Sequence, residues 1–432
     1  MQPRRRTEFF VLAGLAVAFP LACWIGSTLV GGGFAYNDFH DYWLAAKLIV
    51  QGRSPYDLEA LRALATAEGL EFVVGGGYSY PLPFAIVMVP FTAVPFALAV
   101  LLFNSISLAA FGGAIAGWIT WAHASERVGF GRRPLLAFAA GCYPPVVGTV
   151  AYGQANLVLL APLAVGTALA VGGSTRVRSF IGGIAIGLAA IVKLIPALLV
   201  VPLVLARRVA AVGGVVVGTL GCLVGAAMLV PHGSAGIERL LSLLDPDPYF
   251  TNQSINGFVT RLVQTTSRTV AVVPNGFEPR LPVLLLTAAF AVATGFVLWR
   301  GRARLGRQRG LALGIALALV AGLIGAPKAA FWTQAFALLG VGLLFAVETP
   351  DLRLSRLGRI DLGLVIIWFG GAAIEVALWV APPPTTIQLA PVVTILTSAS
   401  LFGMFALWWL LVRRMELVPG PDRPGGTAHH PP

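Results

Sequence analysis

Charge is scarce in this chain, so the residues that carry it stand out. Asn37-Asp38-Phe39-His40-Asp41-Tyr42 sets two carboxylates, an imidazole and a phenol side by side, just past a long apolar run. A low-dielectric surface raises a carboxylate's basicity by desolvation, which suits Asp38 to the work of a general base. The plainer alternative makes Asp38 the cap of a helix beginning near Asp41. Lys193 lies inside the apolar stretch Ala190-Ile191-Val192-Lys193-Leu194-Ile195-Pro196. A lysine there is costly and by default marks function. A phosphate is a fitting partner for it; snorkelling to the interface is the other explanation. Lys328, in Pro327-Lys328 ahead of Trp332 and Gln334, offers a second cation for the same phosphate or a helix anchor.

The uncharged polar residues fall into short groups. Tyr56 follows Ser54-Pro55, and Tyr80 closes Tyr78-Ser79-Tyr80 before Pro81. Gln154 and Asn156, in Gly153-Gln154-Ala155-Asn156, set two amides at the mouth of a helix, where they would hold sugar hydroxyls or bond neighbouring helices. Asn252, Gln253 and Asn256 belong to Thr251-Asn252-Gln253-Ser254-Ile255-Asn256-Gly257, which follows Asp245 and Asp247 and otherwise reads as a solvated loop. Glu375 is a lone acid within a predicted span, placed to reach water or meet a cation. A transporter needs polar groups near the membrane midplane; here they gather at one end.

The elements that must position these residues are helices in a membrane. Of 432 residues 57% are apolar and only 11% charged. Soluble domains carry about 25% charged residues, so an ordinary soluble enzyme, a coiled coil and a disordered chain are excluded. At about 20 residues per span the apolar content supplies about twelve helices, and helices satisfy their own backbone in lipid. The fold expected is therefore all-α and polytopic. The net charge of +12 does not imply nucleic acid. Its arginines gather in Arg4-Arg5-Arg6, Arg132-Arg133, Arg176 with Arg178, Arg207-Arg208, Arg300 to Arg309, Arg353 to Arg359 and Arg413-Arg414. These short segments alternate with apolar runs on one side, the positive-inside pattern. Both termini are expected in the cytoplasm of a multi-pass plasma-membrane protein. Cys23, Cys142 and Cys222 show no metal spacing and read as small core residues.

Residues 9–30 form the first expected span, and 31–82 a long external segment with surface helices near 41–51 and 57–68. A short piece at 83–96, cut by Pro90 and Pro95, precedes a span at 97–122. Two helices are expected across 134–172. Two more, hinged near Lys193 and Pro196, keep Arg207 and Arg208 inside. A span at 209–230 leads to the external loop 231–280. Spans follow near 281–299, 310–326, 329–347, 361–381 and 388–412. The domain is expected to run over 1–418, with 419–432 a disordered cytoplasmic tail rich in Pro and Gly.

Taken in order, these segments resemble glycosyltransferase family 87, integral membrane enzymes of the GT-C class that use polyprenyl-phosphate mannose. The resemblance rests on Asp38-Phe39 with Tyr42, Pro55-Tyr56-Asp57, Tyr80-Pro81-Leu82-Pro83, Gly153-Gln154-Ala155-Asn156, Lys193-Leu194-Ile195-Pro196 and Asn252-Gln253-Ser254-Ile255-Asn256-Gly257. The later stretch Ala326 to Gln334 keeps Trp332 but has no His. The resemblance implies transfer of a hexose, mannose by analogy, to a lipid or glycan acceptor at the outer face, with inversion. Asp38 would be the base, and Lys193 with Lys328 would hold the donor phosphate. His40, Asp41, Tyr42, Tyr56, Tyr80, Gln154, Asn156, Asn252, Gln253, Asn256 and Trp332 would line the substrate. The partners implied are the lipid-linked donor, the acceptor and membrane lipids. No metal or other cofactor is expected. A lipid or polyol transporter or flippase, and an inactive subunit of the same fold, are the competing classes.

Overall fold

A computed structural model describes residues 3–31, 36–70, 77–123, 133–173, 175–229, 241–266, 269–273, 277–347, 359–380 and 390–418. The expected tail at 419–432 lies outside these residues, as do parts of both loops expected to be external. The described chain is helical, with no strand and one isolated bridge between Asn252 and Ala330.

In chain order the α-helices are α1 (Pro3–Gly31), α2 (Asn37–Val50), α3 (Leu58–Ala67), α4 (Leu82–Met88), α5 (Phe96–His123), α6 (Arg133–Gly141), α7 (Pro144–Tyr152), α8 (Asn156–Gly172), α9 (Arg176–Val192), α10 (Val200–Leu205), α11 (Val209–Leu229), α12 (Ile255–Val263), α13 (Arg280–Arg300), α14 (Arg302–Leu305), α15 (Gln308–Gly325), α16 (Ala337–Val347), α17 (Arg359–Val380), α18 (Ala390–Leu396) and α19 (Ala399–Glu416). Among the described residues six of these are long and apolar enough to cross a membrane: α1, α5, α11, α13, α15 and α17. The pair α6 and α7, bent by 46°, would make a seventh. This falls short of the twelve expected. The difference has a physical source: several apolar runs are interrupted into shorter helices. A 3-10 turn, Val89–Ala93, contains Pro90 and is followed by Pro95 ahead of α5. Cys142 and Tyr143 separate α6 from α7, which opens on Pro144-Pro145. The backbone extends at Lys193, and a 3-10 turn, Ile195–Leu199, follows before α10.

Ion pairs gather one set of helix ends. Arg133 meets Glu8 at 2.6 Å, joining the starts of α1 and α6. Arg414 meets Asp361 at 2.9 Å, joining the end of α19 to the start of α17. Arg304 donates to the Val418 carbonyl at 2.9 Å. These are the arginine-rich segments, so the chain returns repeatedly to one side. α1 has 29 residues, about 43 Å at 1.5 Å per residue, so Tyr36 and α2 begin near the opposite end.

Glycine sets the closest helix packing. A Cβ at Gly183 would stand 2.0 Å from the Ala211 carbonyl oxygen, and one at Gly187 2.6 Å from that of Val215. Gly214 approaches the Phe180 carbonyl in the same way, at 2.1 Å. Small residues let α9 and α11 meet backbone to backbone, the usual source of attraction between helices in lipid. This fixes the end of α9, and with it Lys193.

Candidate active site

The site is assembled where α2, α7, the Tyr78–Pro81 segment, the end of α9 and the turn before α16 converge. Tyr36 precedes α2 with φ 48°. Its amide donates to the Ala151 carbonyl at 3.2 Å, and its phenol accepts from the Trp24 indole at 2.8 Å. α2 therefore starts at Asn37, earlier than the sequence pattern predicts. Asp38 is not its cap but sits in the first turn, where the helix dipole favours a carboxylate. Gly153 closes α7 with φ 64°, and a Cβ there would stand 2.6 Å from the Phe39 Cβ. Only glycine meets both demands, and this contact brings the next residue, Gln154, against α2.

Gln154 is buried, and its Oε1 accepts from the Tyr42 hydroxyl at 3.1 Å and the Tyr80 hydroxyl at 2.9 Å. Its side chain also neighbours Asp38. Burial raises the Asp38 carboxyl from 3.8 to about 6, with the Gln154 hydrogen bond and the Lys193 charge pulling the other way. Burial also pushes the Tyr42 and Tyr80 phenols above their usual range, and the Asp38 charge adds to it. Both phenols thus stay protonated and donate. Tyr56 donates to the Tyr80 carbonyl at 2.9 Å, and Tyr78 to the Pro81 carbonyl at 2.9 Å. The tyrosine wall is completed by Tyr42 against Tyr80 and Phe84, with centroids 4.9 and 4.8 Å away.

Lys193 faces the same wall. Its ammonium lies 5.7 Å from the Tyr80 ring and donates to the Thr333 hydroxyl at 3.2 Å. It attracts Asp38 across the site. Thr333 was not expected from the sequence. It is one residue from Trp332, and only packing between residues 140 apart in the chain reveals it. Trp332 stacks on Tyr152 with centroids 3.9 Å apart, while its carbonyl accepts from the Asn156 amide at 3.1 Å and the Thr149 hydroxyl at 3.2 Å. Asn156 therefore fixes the turn that carries Thr333.

The other expected residues lie elsewhere or face differently. The His40 ring sits edge-on to Phe96 at 4.5 Å. Asp41 is half-buried, and its charge is felt at Tyr80. Lys328 pairs with Asp247 at 3.6 Å rather than joining Lys193. Asn252 donates to the Asp247 and Pro327 carbonyls, at 3.3 and 3.2 Å, and its Oδ1 accepts from Ser254 and the Ala329 amide. Asn256 donates to the Asp245 and Pro327 carbonyls, at 3.0 and 2.9 Å. The Gln253 amide donates to the Phe250 and Thr397 carbonyls, at 2.8 and 2.7 Å. Behind them Arg261, fully buried, donates to the Tyr249 and Asn252 carbonyls and to Ser398, while Glu375 is bonded to Ser400. Among the described residues no group of three or more His, Cys, Asp and Glu is placed to hold a metal.

A helical membrane protein with a carboxylate, an ammonium and a tyrosine-lined wall at one end is the class that fold and site define. The family model "Glycosyltransferase family 87" matches residues 78–327, and the chain belongs to that family. The match takes in Tyr80, Gln154, Lys193 and the Asn252–Asn256 segment, while Asp38 and Trp332 lie outside it. No match to the chain was found among the curated proteins or the solved structures.

Proposed function

We propose that this glycosyltransferase moves a hexose, mannose by family analogy, from a polyprenyl-phosphate donor to a lipid or glycan acceptor at the outer face of the plasma membrane, in the GT-C manner. The observation that carries the reading is that Asp38 and Lys193 feel each other's charge and both neighbour Tyr80, at the end of the bundle away from the arginine-rich segments. The acceptor hydroxyl attacks the anomeric carbon as its proton passes to Asp38. The bond from that carbon to the phosphate oxygen breaks, and the lipid phosphate leaves with the electron pair. Lys193, oriented by Thr333, stabilises the charge that develops on this phosphate. One base and a good leaving group suffice for a single inverting displacement, whereas a glycosidase works with two carboxylates. The half-exposed Lys328 would act at most on the approach of the phosphate, since Asp247 engages it.

The charge distribution supports the orientation. Arginine-rich ends favour the cytoplasmic side, which would put Asp38 and Lys193 outside. The test is to incubate the purified chain in nanodiscs with radiolabelled polyprenyl-phosphate mannose and a lipid extract of its host. A labelled glycolipid is expected. A protein that neither binds nor consumes the donor would overturn the reading and favour the transporter or the inactive subunit.

A further inference from the structure

We infer that Gln154 is a positioning residue for Asp38 rather than a ligand for the sugar: the Tyr42 and Tyr80 hydroxyls lock its amide so that its NH2 group faces the carboxylate. The inference rests on Asp38 being the base of the proposed transfer. A carboxamide oxygen has two lone pairs, and on Gln154 both are taken by phenol donors. With the oxygen so occupied, the amino group is the part left to meet Asp38, whose carboxyl Gln154 draws downward. The backbone is held as firmly. The Gln154 amide donates to the Thr149 carbonyl at 2.9 Å, and Gly153 packs beneath Phe39. Little of the side chain remains for a substrate, since it is only 3% exposed.

The arrangement gives the base a defined geometry. A donor on one carboxylate oxygen leaves the other to receive the acceptor's proton. It also stabilises the ionised form, opposing the burial that raises the group. The charged and titratable groups around the carboxylate are Lys193 from the end of α9, Tyr80 from the segment before α4, and Tyr42, with His40 and Asp41 near it on α2. Of these, Lys193 acts in the same direction as Gln154 and the phenols stay neutral, so the amide has a separable effect.

The test reads the ionisation of Asp38 directly, in purified full-length protein, by difference infrared titration of its carboxyl band, assigned by its loss in Asp38→Asn. In the wild-type protein the midpoint is expected at about 6. In Gln154→Leu it should rise by about one pH unit, the size expected for one hydrogen bond to a charged group. Tyr42→Phe with Tyr80→Phe, which keeps both rings, frees the amide to turn and should move the midpoint in the same direction. This pair carries the test if Gln154→Leu does not fold. In the transfer assay the acidic limb should follow the midpoint, with the donor KM within about twofold of wild type. An unmoved midpoint in the folded variants, or a raised donor KM with an unmoved limb, would overturn the inference and return Gln154 to the sugar. Asp38→Asn retaining full transfer would instead sink the base reading itself, whatever the titration of Gln154→Leu shows.

Discussion

Two polar regions lie close together in this molecule, and they are built on opposite principles. In the Asn252–Arg261 region the amides donate to main-chain carbonyls, Pro327 receiving two of them. Amide donors satisfied in this way hold a loop in place, while Gln253 Oε1 and Arg261 Nε are buried without a hydrogen-bond partner among the described residues. In the Asp38 region side chains bond side chains. Gln154 takes two phenols, Lys193 takes a hydroxyl, and two opposite charges attract across a gap without closing an ion pair. Residue type does not separate the two regions, since both are rich in Asn and Gln. What separates them is the partner of the amide side chains: main-chain carbonyls for Asn252, Gln253 and Asn256, phenol hydroxyls for Gln154. The first region is a staple for the turn that carries Thr333, and on the proposed reading the second is where chemistry takes place.

The comparison is broken or sharpened most strongly at Asp38. Asp38→Asn should lower transfer by about 10²–10⁴-fold, the range for a general base, in single-turnover assays. Because the neutral form is the one burial favours, its thermal unfolding should be no lower than wild type. Near-normal turnover would remove the distinction between the regions. Lys193→Ala comes next. Loss of one group that stabilises developing charge costs about 10²–10³-fold, and donor binding should weaken with it. Unchanged donor affinity would deny the phosphate role.

Asn256→Ala probes the staple. It removes donors to Asp245 and Pro327 and an acceptor for Thr260, and leaving such groups unpaired costs about 1–3 kcal/mol each. Its unfolding temperature should fall, while the folded fraction keeps a near-normal donor KM. A raised KM with unchanged stability would make Asn256 a substrate residue. The smallest effect belongs to Lys328→Ala. An exposed ion pair is worth about 0–1 kcal/mol, so stability and turnover should both move little; a loss to match Lys193→Ala would give the donor phosphate a second cation.

Much of the fold was legible in the sequence. The long apolar runs gave α1, α5, α11, α13, α15 and α17 nearly at their expected bounds, because a span's length is set by the bilayer. The hinge at Lys193 was legible from charge bookkeeping, since Arg207 and Arg208 had to return to one side. The number of complete spans was less so, because hydropathy does not show where proline and extended backbone cut an apolar run into shorter helices. The start of α2 was missed for a different reason. It depends on a left-handed Tyr36 tied to Ala151 and Trp24, and such contacts leave no local pattern. Within the site, sequence order brought Asp38, Tyr80, Gln154 and Lys193 into view as separate pieces. It gave no sign of Thr333 or of which way the Asn252 and Asn256 amides face, because these depend on carbonyls far along the chain.

The most direct test of the central claim is the pH dependence of single-turnover transfer with donor already bound. Asp38 raised to about 6 must lose its proton before it can accept another. Transfer should therefore fall to half near pH 6 as the pH is lowered, with the donor still bound below that point. A rate that stays flat from about pH 5 to 8, well above and below the Asp38 titration, would contradict the assignment of the base.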